Sequence, residues 1–158
     1  MKHLPKHLQP RWRYLAVAIE TWPDADLTRR ALQREVWYAT QNLLGDTGSA
    51  DADMTVLRFT HDDGVGHAIV RVRRGHTEAA RAALSCLDSV DGAPVGVRVT
   101  GISGTVRACE EKYIRGPAKS PDQRHVVFEN ADRRAVSRGS RVDVRTDDGF
   151  VGATDLDI

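Results

Sequence analysis

The amino-terminal part of the chain shows a regular alternation of apolar and other residues over positions 12–22. Leu15, Val17 and Ile19 share one face of the segment, and Tyr14 and small residues occupy the other. Successive side chains of a β-strand point to opposite faces, so a period of two indicates a strand. The pattern predicts a first strand that lies in the centre of a sheet.

An amphipathic helix is predicted next, because apolar residues recur at intervals of three and four. The apolar stripe consists of Leu32, Val36, Ala39 and Leu43. A carboxylate before a helix accepts its unpaired backbone N–H groups, so we predict that Asp24 or Asp26 caps this helix. Gly45 is predicted to end it.

Two more alternating segments, residues 54–59 and 67–74, predict a β-hairpin with a turn at Asp62-Asp63-Gly64. A short amphipathic segment after Thr77 predicts a second helix, and Val95 begins a last strand. The resulting order is β-α-β-β-α-β. It predicts an α+β fold of the ferredoxin-like type, an antiparallel sheet with its helices on one face.

The face of the sheet that carries no helix is expected to be basic. Arg71 and Arg73 alternate with valines in the third strand, and Arg98 alternates in the same way in the last strand. Arginines on a folded surface mainly contact phosphates and read little sequence. Ordinary solvated surface remains the alternative for each of them.

The end of the last strand has residues that suit an anion. Gly101 and Gly104 interrupt the alternation around Ser103 and Thr105, and Arg107 follows. Glycine allows close approach of the backbone, hydroxyls donate hydrogen bonds, and a guanidinium adds a fork of donors. A bulge or a tight bend at the end of a core strand is the alternative, and the pattern leaves both open.

The carboxy-terminal part is predicted to be separate from this domain. Prolines and small residues from Gly116 to Pro121 predict a linker, and the segment Arg141–Val151 resembles a hairpin. A unit of that size is stable only if it docks on a larger one. We therefore predict a domain of residues 1–115 and an extension of residues 116–158, which is a hairpin or partly disordered.

Composition places the chain among soluble proteins. It has 158 residues, of which 41% are hydrophobic and 28% charged, as expected for one domain with an appendage. No apolar run approaches the ~20 residues that cross a bilayer. No signal-peptide pattern follows the early lysines, so we expect a cytoplasmic protein without membrane contact. Cys86 and Cys109 lack the spacing of a zinc site or a disulfide framework.

The net charge of +1 conceals basic and acidic blocks. Residues 1–43 have seven Lys or Arg against four Asp or Glu, and residues 66–115 have eight against five. Residues 44–65 have one against five. This distribution permits a local basic face, which is the electrostatic footprint of a nucleic-acid binder. The dominance of arginine and aspartate is compatible with a GC-rich or salt-adapted source.

Motifs for catalysis by the protein itself are missing from the sequence. It has no catalytic triad order, phosphate-binding loop, dinucleotide fingerprint or metal-ligand spacing. A two-metal nuclease needs carboxylates that converge from strands and helices, and Glu20 is the only acid within a predicted strand. The third strand also lacks the aromatic residues that stack on single-stranded RNA. Recognition of phosphates and shape in folded RNA therefore fits best.

Four segments of the chain resemble archaeal ribonuclease P protein component 2. They are Leu4-Pro5 followed by Arg11-Trp12-Arg13-Tyr14-Leu15, Asn42-Leu43-Leu44-Gly45-Asp46, Ala68-Ile69-Val70-Arg71-Val72, and Val99-Thr100-Gly101-Ile102-Ser103-Gly104-Thr105-Val106-Arg107-Ala108-Cys109. They occur in the family's order over about residues 1–115. The tail from Gly116 matches no part of the family pattern.

The resemblance implies a non-catalytic subunit of the ribonucleoprotein that removes 5′ leaders from precursor tRNA. In that family the ribonuclease P RNA holds the catalytic Mg²⁺ ions, and the protein supports the RNA fold and contacts precursor tRNA only indirectly. The family also implies partnership with other component proteins, above all component 3 in a heterotetramer. No catalytic residue, metal site or cofactor is then expected on the protein.

The resemblance and the sheet pattern together give ten predicted RNA-binding residues. Those implied by the resemblance are Arg11, Arg13, Tyr14, Arg71, Ser103, Gly104, Thr105 and Arg107. The basic sheet face adds Arg73 and Arg98, and it includes Arg71 as well.

Two other functions are compatible with the sequence. A ferredoxin-like regulatory domain could dimerise and bind a small metabolite, and it would show no salt-dependent affinity for RNA. A ribosome-associated or other RNA-binding module would be distinguished by the RNA that co-purifies with it. A stand-alone metal nuclease fits the sequence least.

Overall fold

The computed structural model describes residues 5–8, 11–114, 121–154 and 156–158. Its elements in chain order are β1 (Trp12–Thr21), α1 (Arg29–Ala52), β2 (Thr55–Asp62), β3 (Val65–Arg73), α2 (Thr77–Ser85), β4 (Ser89–Val90), β5 (Ala93–Ser103), α3 (Val106–Tyr113), β6 (Asp122–Phe128), β7 (Ala131–Arg138), β8 (Arg141–Thr146) and β9 (Gly149–Ala153). Lys6–Leu8 form a short 3-10 turn. None of the helices in these ranges is long and apolar enough to cross a membrane.

Some predicted features lie outside the described residues. They include Leu4 of the first motif and residues 116–120 of the predicted linker, and residues 1–3 and 9–10 lie outside the described ranges as well. The proposed boundary between the domain and the extension falls at residue 115, which also lies outside these ranges.

The main sheet has the strand order β2-β3-β1-β5-β4. β1 is its central strand and runs antiparallel to both β3 and β5, with Leu15 opposite Val70 on one side and Ile102 on the other. Leu15 and Ala16 are fully buried although they point to opposite faces, so β1 is covered on both sides. This interleaved arrangement confirms the ferredoxin-like α+β fold.

Helices α1 and α2 pack on one face of the sheet over a core formed by alternate residues of β1 and β3. Thr28 caps the amino-terminal end of α1, because its hydroxyl accepts a hydrogen bond from the Ala31 N–H at 3.1 Å. The prediction that Asp24 or Asp26 caps this helix is therefore wrong. A threonine one residue before the helix satisfies the unpaired N–H groups, and the aspartates lie too early in the chain.

Gly45 ends the first regular segment of α1, as predicted, but a second helical segment follows it. The φ of Gly45 is 75°, which is non-helical, and the chain is helical again beyond this bend as far as Ala52. Asp53, with a φ of 47°, forms the carboxy-terminal cap. Glycine tolerates a left-handed backbone at little cost, so the same residue can end one helical segment and redirect the chain into the next.

A third helix, α3, covers the middle of the opposite sheet face. Cys109 is buried against Ala16 and Ile69. A Cβ atom at Gly101 would lie 2.2 Å from the ring of Tyr113, so only glycine permits this approach. The expectation that the helices lie on one face thus holds for α1 and α2 only, because a strip of small and apolar side chains on the other face accepts α3.

The carboxy-terminal extension forms an antiparallel sheet with the order β6-β7-β8-β9. The predicted hairpin over 141–151 corresponds to β8 and β9, and the sequence pattern did not predict the pairing of β6 with β7. The interior of this sheet is small and aliphatic. Its buried members are Ala135, Val142, Val144 and Ala153.

The extension docks on the main domain through a buried arginine. The Arg138 side chain is only 7% exposed and donates hydrogen bonds to the carbonyl oxygens of Thr21 and Gly64. It also forms an ion pair with Asp143 at 2.7 Å. These contacts fix one face of the extension against the end of β1.

Side chains around the buried arginine complete this interface. Trp22 stacks on Phe150 with 5.6 Å between the ring centroids. Arg141 forms an ion pair with Glu20 at 2.6 Å. Stacked rings bury a large apolar area with a preferred geometry, so the interface joins charge pairing to apolar contact.

Candidate nucleic-acid interface

Basic residues gather at the end of the main sheet where β1 begins and β3 ends. Trp12 lies opposite Arg73 in register, and Arg71 projects from the same face of β3. The Arg74 N–H donates to the Arg11 carbonyl at 2.9 Å, which holds the two chain segments together. We call this region the basic corner. Its members are Arg11, Trp12, Arg71, Arg73, Arg74 and His76.

The basic corner contains a cavity of about 580 Å³. Its lining consists of Leu8, Arg11, Arg73, Arg74, Gly75 and His76. Within the described residues, the only ion pair that the corner makes joins Arg73 to Asp53, at 3.5 Å and about half exposed. The positive charge of the corner is thus largely uncompensated by carboxylates, which favours an anionic ligand.

The indole of Trp12 positions two of these arginines. The Arg71 guanidinium carbon lies 4.0 Å from the ring centroid, and that of Arg73 lies 5.6 Å away. The Nε atom of Arg71 is buried and has no acceptor among the described residues. A guanidinium over an aromatic face is held by cation–π attraction and keeps its full charge. Arg71 is therefore oriented by a ring while its charge remains available to a phosphate.

The Ser103–Thr105 bend lies beside the corner across β1. Tyr14 is opposite Ser103 on one side and Arg71 on the other, so its backbone links the two groups. The Thr105 hydroxyl accepts a hydrogen bond from the Ala108 N–H at 3.1 Å and caps α3. Thr105 thus has a structural role, as the bend interpretation of this segment predicts.

Two arginines flank the bend in different environments. Arg13 donates to the carbonyl of Trp12 at 3.2 Å and lies close to Gly104, whose missing Cβ would be 3.8 Å from Arg13 Nη1. The side chain of Arg107 is 88% exposed and pairs with Glu111 at 2.9 Å. An exposed pair of this kind contributes little to stability, so a phosphate can compete for Arg107.

Arg98 does not join the basic corner. It lies opposite Ala18, four residues along β1 from Tyr14, which corresponds to roughly 13 Å of strand. α3 covers the face between them at Ala16. The basic sheet face predicted from alternation is therefore divided, with Arg71 and Arg73 at one end and Arg98 at the other.

The neighbour of Arg98 across the sheet is neutral. His67 also lies opposite Ala18, and burial lowers its pKa below the ordinary value of 6.5. A histidine with a lowered pKa is uncharged at neutral pH. The second end of the face thus gains no positive charge from His67.

The Cys109 thiol is part of the packing between α3 and the sheet. Burial, with Glu110 nearby, raises the pKa of the Cys109 thiol, which lies under α3. A thiol with a raised pKa is a poor nucleophile. In the described part of the chain, no group of three or more His, Cys, Asp or Glu side chains could hold a metal ion.

Sequence reasoning missed three members of the basic corner. Trp12, Arg74 and His76 were not among the predicted site residues. The alternation of β1 does place Trp12 on the face of Tyr14, so that pattern could have indicated its position. Arg74 and His76 follow the end of β3 in a turn, where periodicity carries no information about direction.

The model of the Rpp14/Pop5 family matches residues 13–114 of the chain. The match spans the main sheet and α1 to α3, and it ends before the carboxy-terminal sheet begins. The Haloarcula and Natronomonas relatives described below align over the extension as well.

Curated relatives of the chain share one name. The Haloarcula marismortui protein "Ribonuclease P protein component 2" is 72% identical over 159 residues, which is 99% of each chain. The Natronomonas pharaonis protein of the same name is 62% identical over 100% of this chain and 98% of its own length. The Thermococcus kodakarensis protein of that name is 33% identical over 113 residues, or 72% of this chain and 91% of its own.

A chain of the cryo-EM structure of yeast ribonuclease MRP is also similar, with a TM-score of 0.46 and 19% identity. The superposition covers 63% of this chain and 79% of that chain.

Proposed function

The chain belongs to the Rpp14/Pop5 family and is a protein subunit of ribonuclease P, and from this premise we propose that it binds the ribonuclease P RNA through the basic corner. Its role would be to stabilise the RNA that removes 5′ leaders from precursor tRNA. The observation that carries this proposal is the set of arginines around Trp12. Within the described residues, only Arg73 of this set forms an ion pair, and its partner is Asp53.

Phosphate recognition follows from the chemistry of the corner. Arginine forks match phosphate oxygens in pairs, and each neutralised phosphate releases condensed counterions. The Arg71 guanidinium lies over the Trp12 ring, and this contact reduces the conformational entropy lost on binding. The neighbouring Tyr14, Ser103 and Arg107 extend the proposed contact along the edge of β5.

We assign the catalytic metal ions to the RNA. A hydrolytic protein site would need several carboxylates or an activated nucleophile in one place. Within the described residues, no three His, Cys, Asp or Glu side chains are close enough together to hold a metal ion. Burial raises the pKa of the Cys109 thiol. Both observations support a division in which RNA holds Mg²⁺ and the protein supplies positive charge.

The proposal includes partners and a location. We place the chain in a cytoplasmic ribonucleoprotein with the component 3 protein, two copies of each forming a heterotetramer, and with other component proteins. Precursor tRNA is then contacted only indirectly. Membership of the family supports these assignments. It gives no support to the alternative function of a small-molecule regulatory domain.

The proposal is tested by combining cleavage with binding. Precursor tRNA cleavage is measured with the RNA alone, with RNA plus all protein subunits, and with this chain alone. We expect the subunits to lower the magnesium requirement and the chain alone to cleave nothing. Cleavage by the chain alone, or no effect of its omission from the complex, would contradict the proposal.

The basic corner itself is tested with Arg71→Ala/Arg73→Ala. The double variant should bind the RNA on the order of tenfold more weakly, and the slope of log affinity against log salt should fall by about one per lost phosphate contact. Arg81→Ala on the exposed surface of α2 is the control. It removes one arginine from the opposite side of the sheet, so the losses of affinity are compared per charge removed. An equal loss in both variants would reject the corner as the contact.

A further inference from the structure

Three large apolar side chains of α1 are exposed to solvent. Trp37 is 53% exposed, Tyr38 54% and Leu43 46%. Trp37 and Tyr38 line one cavity beside α1, and Tyr38 and Leu43 line a second one on the flank that faces the end of α2. Contiguous exposed apolar area of this kind marks a surface that another molecule covers.

A cavity of about 1070 Å³ lies along this part of α1, and we call it the α1 groove. Its walls are the two halves of the helix on either side of the bend at Gly45, together with the start of β2. The residues that line it include Arg30, Arg34, Trp37, Tyr38, Asp46 and Asp53. The bend gives the groove its concave shape, since a straight helix would present a convex surface.

The floor of the α1 groove is fixed by hydrogen bonds. The indole N–H of Trp37 donates to the Met54 carbonyl at 3.3 Å. The buried Gln33 amide donates to the same carbonyl at 3.4 Å and accepts from the Val56 N–H at 2.6 Å. Trp37 is thus exposed and yet held in place, and preorganised side chains make efficient contacts in an interface.

Tyr38 connects the α1 groove to a second cavity. That cavity, of about 310 Å³, lies between α1 and the end of α2 and is also lined by Tyr38, Leu43 and Leu87. The apolar surface therefore continues over a ridge formed by Tyr38. Tyrosine, tryptophan and arginine are the residues that most often dominate binding energy in protein interfaces.

The two ends of the groove carry charges of opposite sign. Arg30, near the start of α1, has no ion-pair partner among the described residues, whereas Arg34 pairs with Asp91. At the other end, Asp53 pairs with Arg73 and Asp46 forms no ion pair within the described ranges. The groove therefore offers an unpaired cation at one end and an unpaired carboxylate at the other.

We propose that the α1 groove binds an amphipathic helix of another protein subunit of the ribonucleoprotein. Arg30 and Asp46 are 16 residues apart along α1, roughly 24 Å at 1.5 Å per residue, which matches a helix of about four turns. The bound helix would place apolar residues at three- and four-residue intervals on Trp37 and Tyr38. It would carry an acid near Arg30 and a base near Asp46.

The proposal names the surface that a protein partner in the ribonucleoprotein would occupy, and so it rests on the proposed function. RNA is disfavoured beside Asp46 and Asp53, because carboxylates repel phosphates. Arg29, Arg30 and Arg34 also line the groove, so a crosslink to RNA is the alternative outcome of the experiment.

The experiment uses the reconstituted holoenzyme. A photoreactive phenylalanine analogue replaces Tyr38, and the crosslinked product is mapped by mass spectrometry. We expect the crosslink on a helical segment of another protein subunit, with an acidic residue within two turns of the crosslinked position. A crosslink to RNA, to a non-helical segment, or to no subunit at all would overturn the proposal.

Affinity measurements with variants give the second test. Tyr38→Ala and Arg30→Glu should each release the partner subunit on the order of tenfold more readily, whereas Tyr38→Phe retains the ring and should match the natural chain. Arg81→Glu is the control for charge reversal on an exposed helix. Unchanged affinity in both Tyr38→Ala and Arg30→Glu, with folding verified by circular dichroism, would also overturn it.

The two proposals fail in distinguishable ways. RNA affinity of the chain is measured in parallel for every variant. If the groove proposal alone is wrong, Arg71→Ala/Arg73→Ala still weakens RNA binding while Tyr38→Ala affects nothing. If the proposed function is wrong, the corner variant leaves RNA binding unchanged.

Discussion

Single side chains set the electrostatics of the basic corner, and Trp12 is important there although it carries no charge. The guanidinium carbon of Arg71 lies 4.0 Å from its ring centroid, and that of Arg73 lies 5.6 Å away. We predict that Trp12→Ala weakens RNA binding about threefold to tenfold, because the two guanidiniums lose a cation–π contact worth roughly 1 kcal/mol and become mobile. Filter binding or fluorescence anisotropy at fixed salt measures the effect.

Trp12→Phe is the control for the Trp12 prediction. Trp12→Phe keeps an aromatic face and should retain most of the affinity. The net charge is the same in all three proteins, so a salt slope equal to that of the natural chain would show that ordering, not charge, has changed. Full affinity in Trp12→Ala would exclude a positioning role for the indole.

His67 should make the protein less stable in mild acid. Burial lowers its folded pKa below 6.5, so the unfolded state binds more protons as the pH falls through that value. The stabilising effect of neutral His67 is therefore present above about pH 6.5 and is lost as the pH falls. Chemical unfolding between pH 7.5 and 5 should show this loss.

The matched pair for the pH prediction is His67→Gln and His125→Gln. The first should flatten the decline in unfolding free energy with falling pH. The second removes an exposed histidine from β6 and should leave the decline unchanged. Parallel declines in His67→Gln and the natural chain would refute the assignment. His61, whose pKa burial also lowers, accounts for the decline that remains in His67→Gln.

Much of the basic corner was predictable at the residue scale, and the rest was not for a physical reason. Alternation along β3 puts Arg71 and Arg73 on one face whatever the strand order. The register with β1 decides which end of the sheet they reach, and a single sequence does not encode that register visibly. Arg98 was grouped with them because alternation reports the face and not the position along it.

At the scale of elements, the fit of α3 against the sheet depends on one missing side chain. We predict that Gly101→Ala destabilises the protein by about 1–3 kcal/mol, because the new methyl group overlaps the Tyr113 ring. Urea unfolding followed by circular dichroism measures this loss. Gly152, which has open space around its Cβ position, provides the control variant Gly152→Ala.

A double variant tests the cause. Tyr113→Ala removes the ring that the methyl group would meet, so Gly101→Ala should cost much less in that background. Contacting residues typically show coupling energies of about 0.5–3 kcal/mol. Strict additivity of the two substitutions would mean that the clash does not explain the effect.

Helix boundaries show how far sequence signals reach for elements. The apolar stripe predicted α1 correctly from Leu32 to Ala39, since 3.6-residue periodicity follows from burial on one side. Leu43, predicted to belong to the same stripe, is 46% exposed. The capping residue of α1 depended on a choice between nearby signals, such as Thr28 against Asp26. α3 was missed because it is short and because its buried partners Ala16 and Ile69 come from β1 and β3, far away in sequence.

At the scale of the whole molecule, the carboxy-terminal sheet and the family domain share a buried charge network. We predict that Arg138→Met destabilises the chain by about 3–5 kcal/mol, because it leaves Asp143 and the carbonyls of Thr21 and Gly64 without their cation. Arg141→Ala should cost about 1 kcal/mol or less, as its side chain is 51% exposed. Thermal unfolding of the two variants compares them directly.

The shape of the unfolding transition gives a second outcome for Arg138. With docking intact, the two sheets should unfold together. Loss of Arg138 should separate an early transition of the extension from a later one of the main domain. Equal stability of Arg138→Met and Arg141→Ala would contradict the view that the buried arginine holds the interface.

The sequence indicated a possible hairpin in the extension but could not indicate its docking. Turn residues at Asp147 and Asp148 mark a local reversal, which is a short-range property. Docking depends on Arg138 meeting the ends of β1 and β3, more than 70 positions earlier in the chain. Interactions at such separation leave no periodic trace in one sequence.

The docked sheet also determines what a minimal version of this subunit would require. The Thermococcus relative aligns over only 113 residues, and the family match stops at residue 114. Trimming this chain to that length would leave Trp22, now 3% exposed, facing water beside an uncompensated Glu20. A shortened form therefore needs polar replacements at this newly opened surface, because deletion alone would create an adhesive patch.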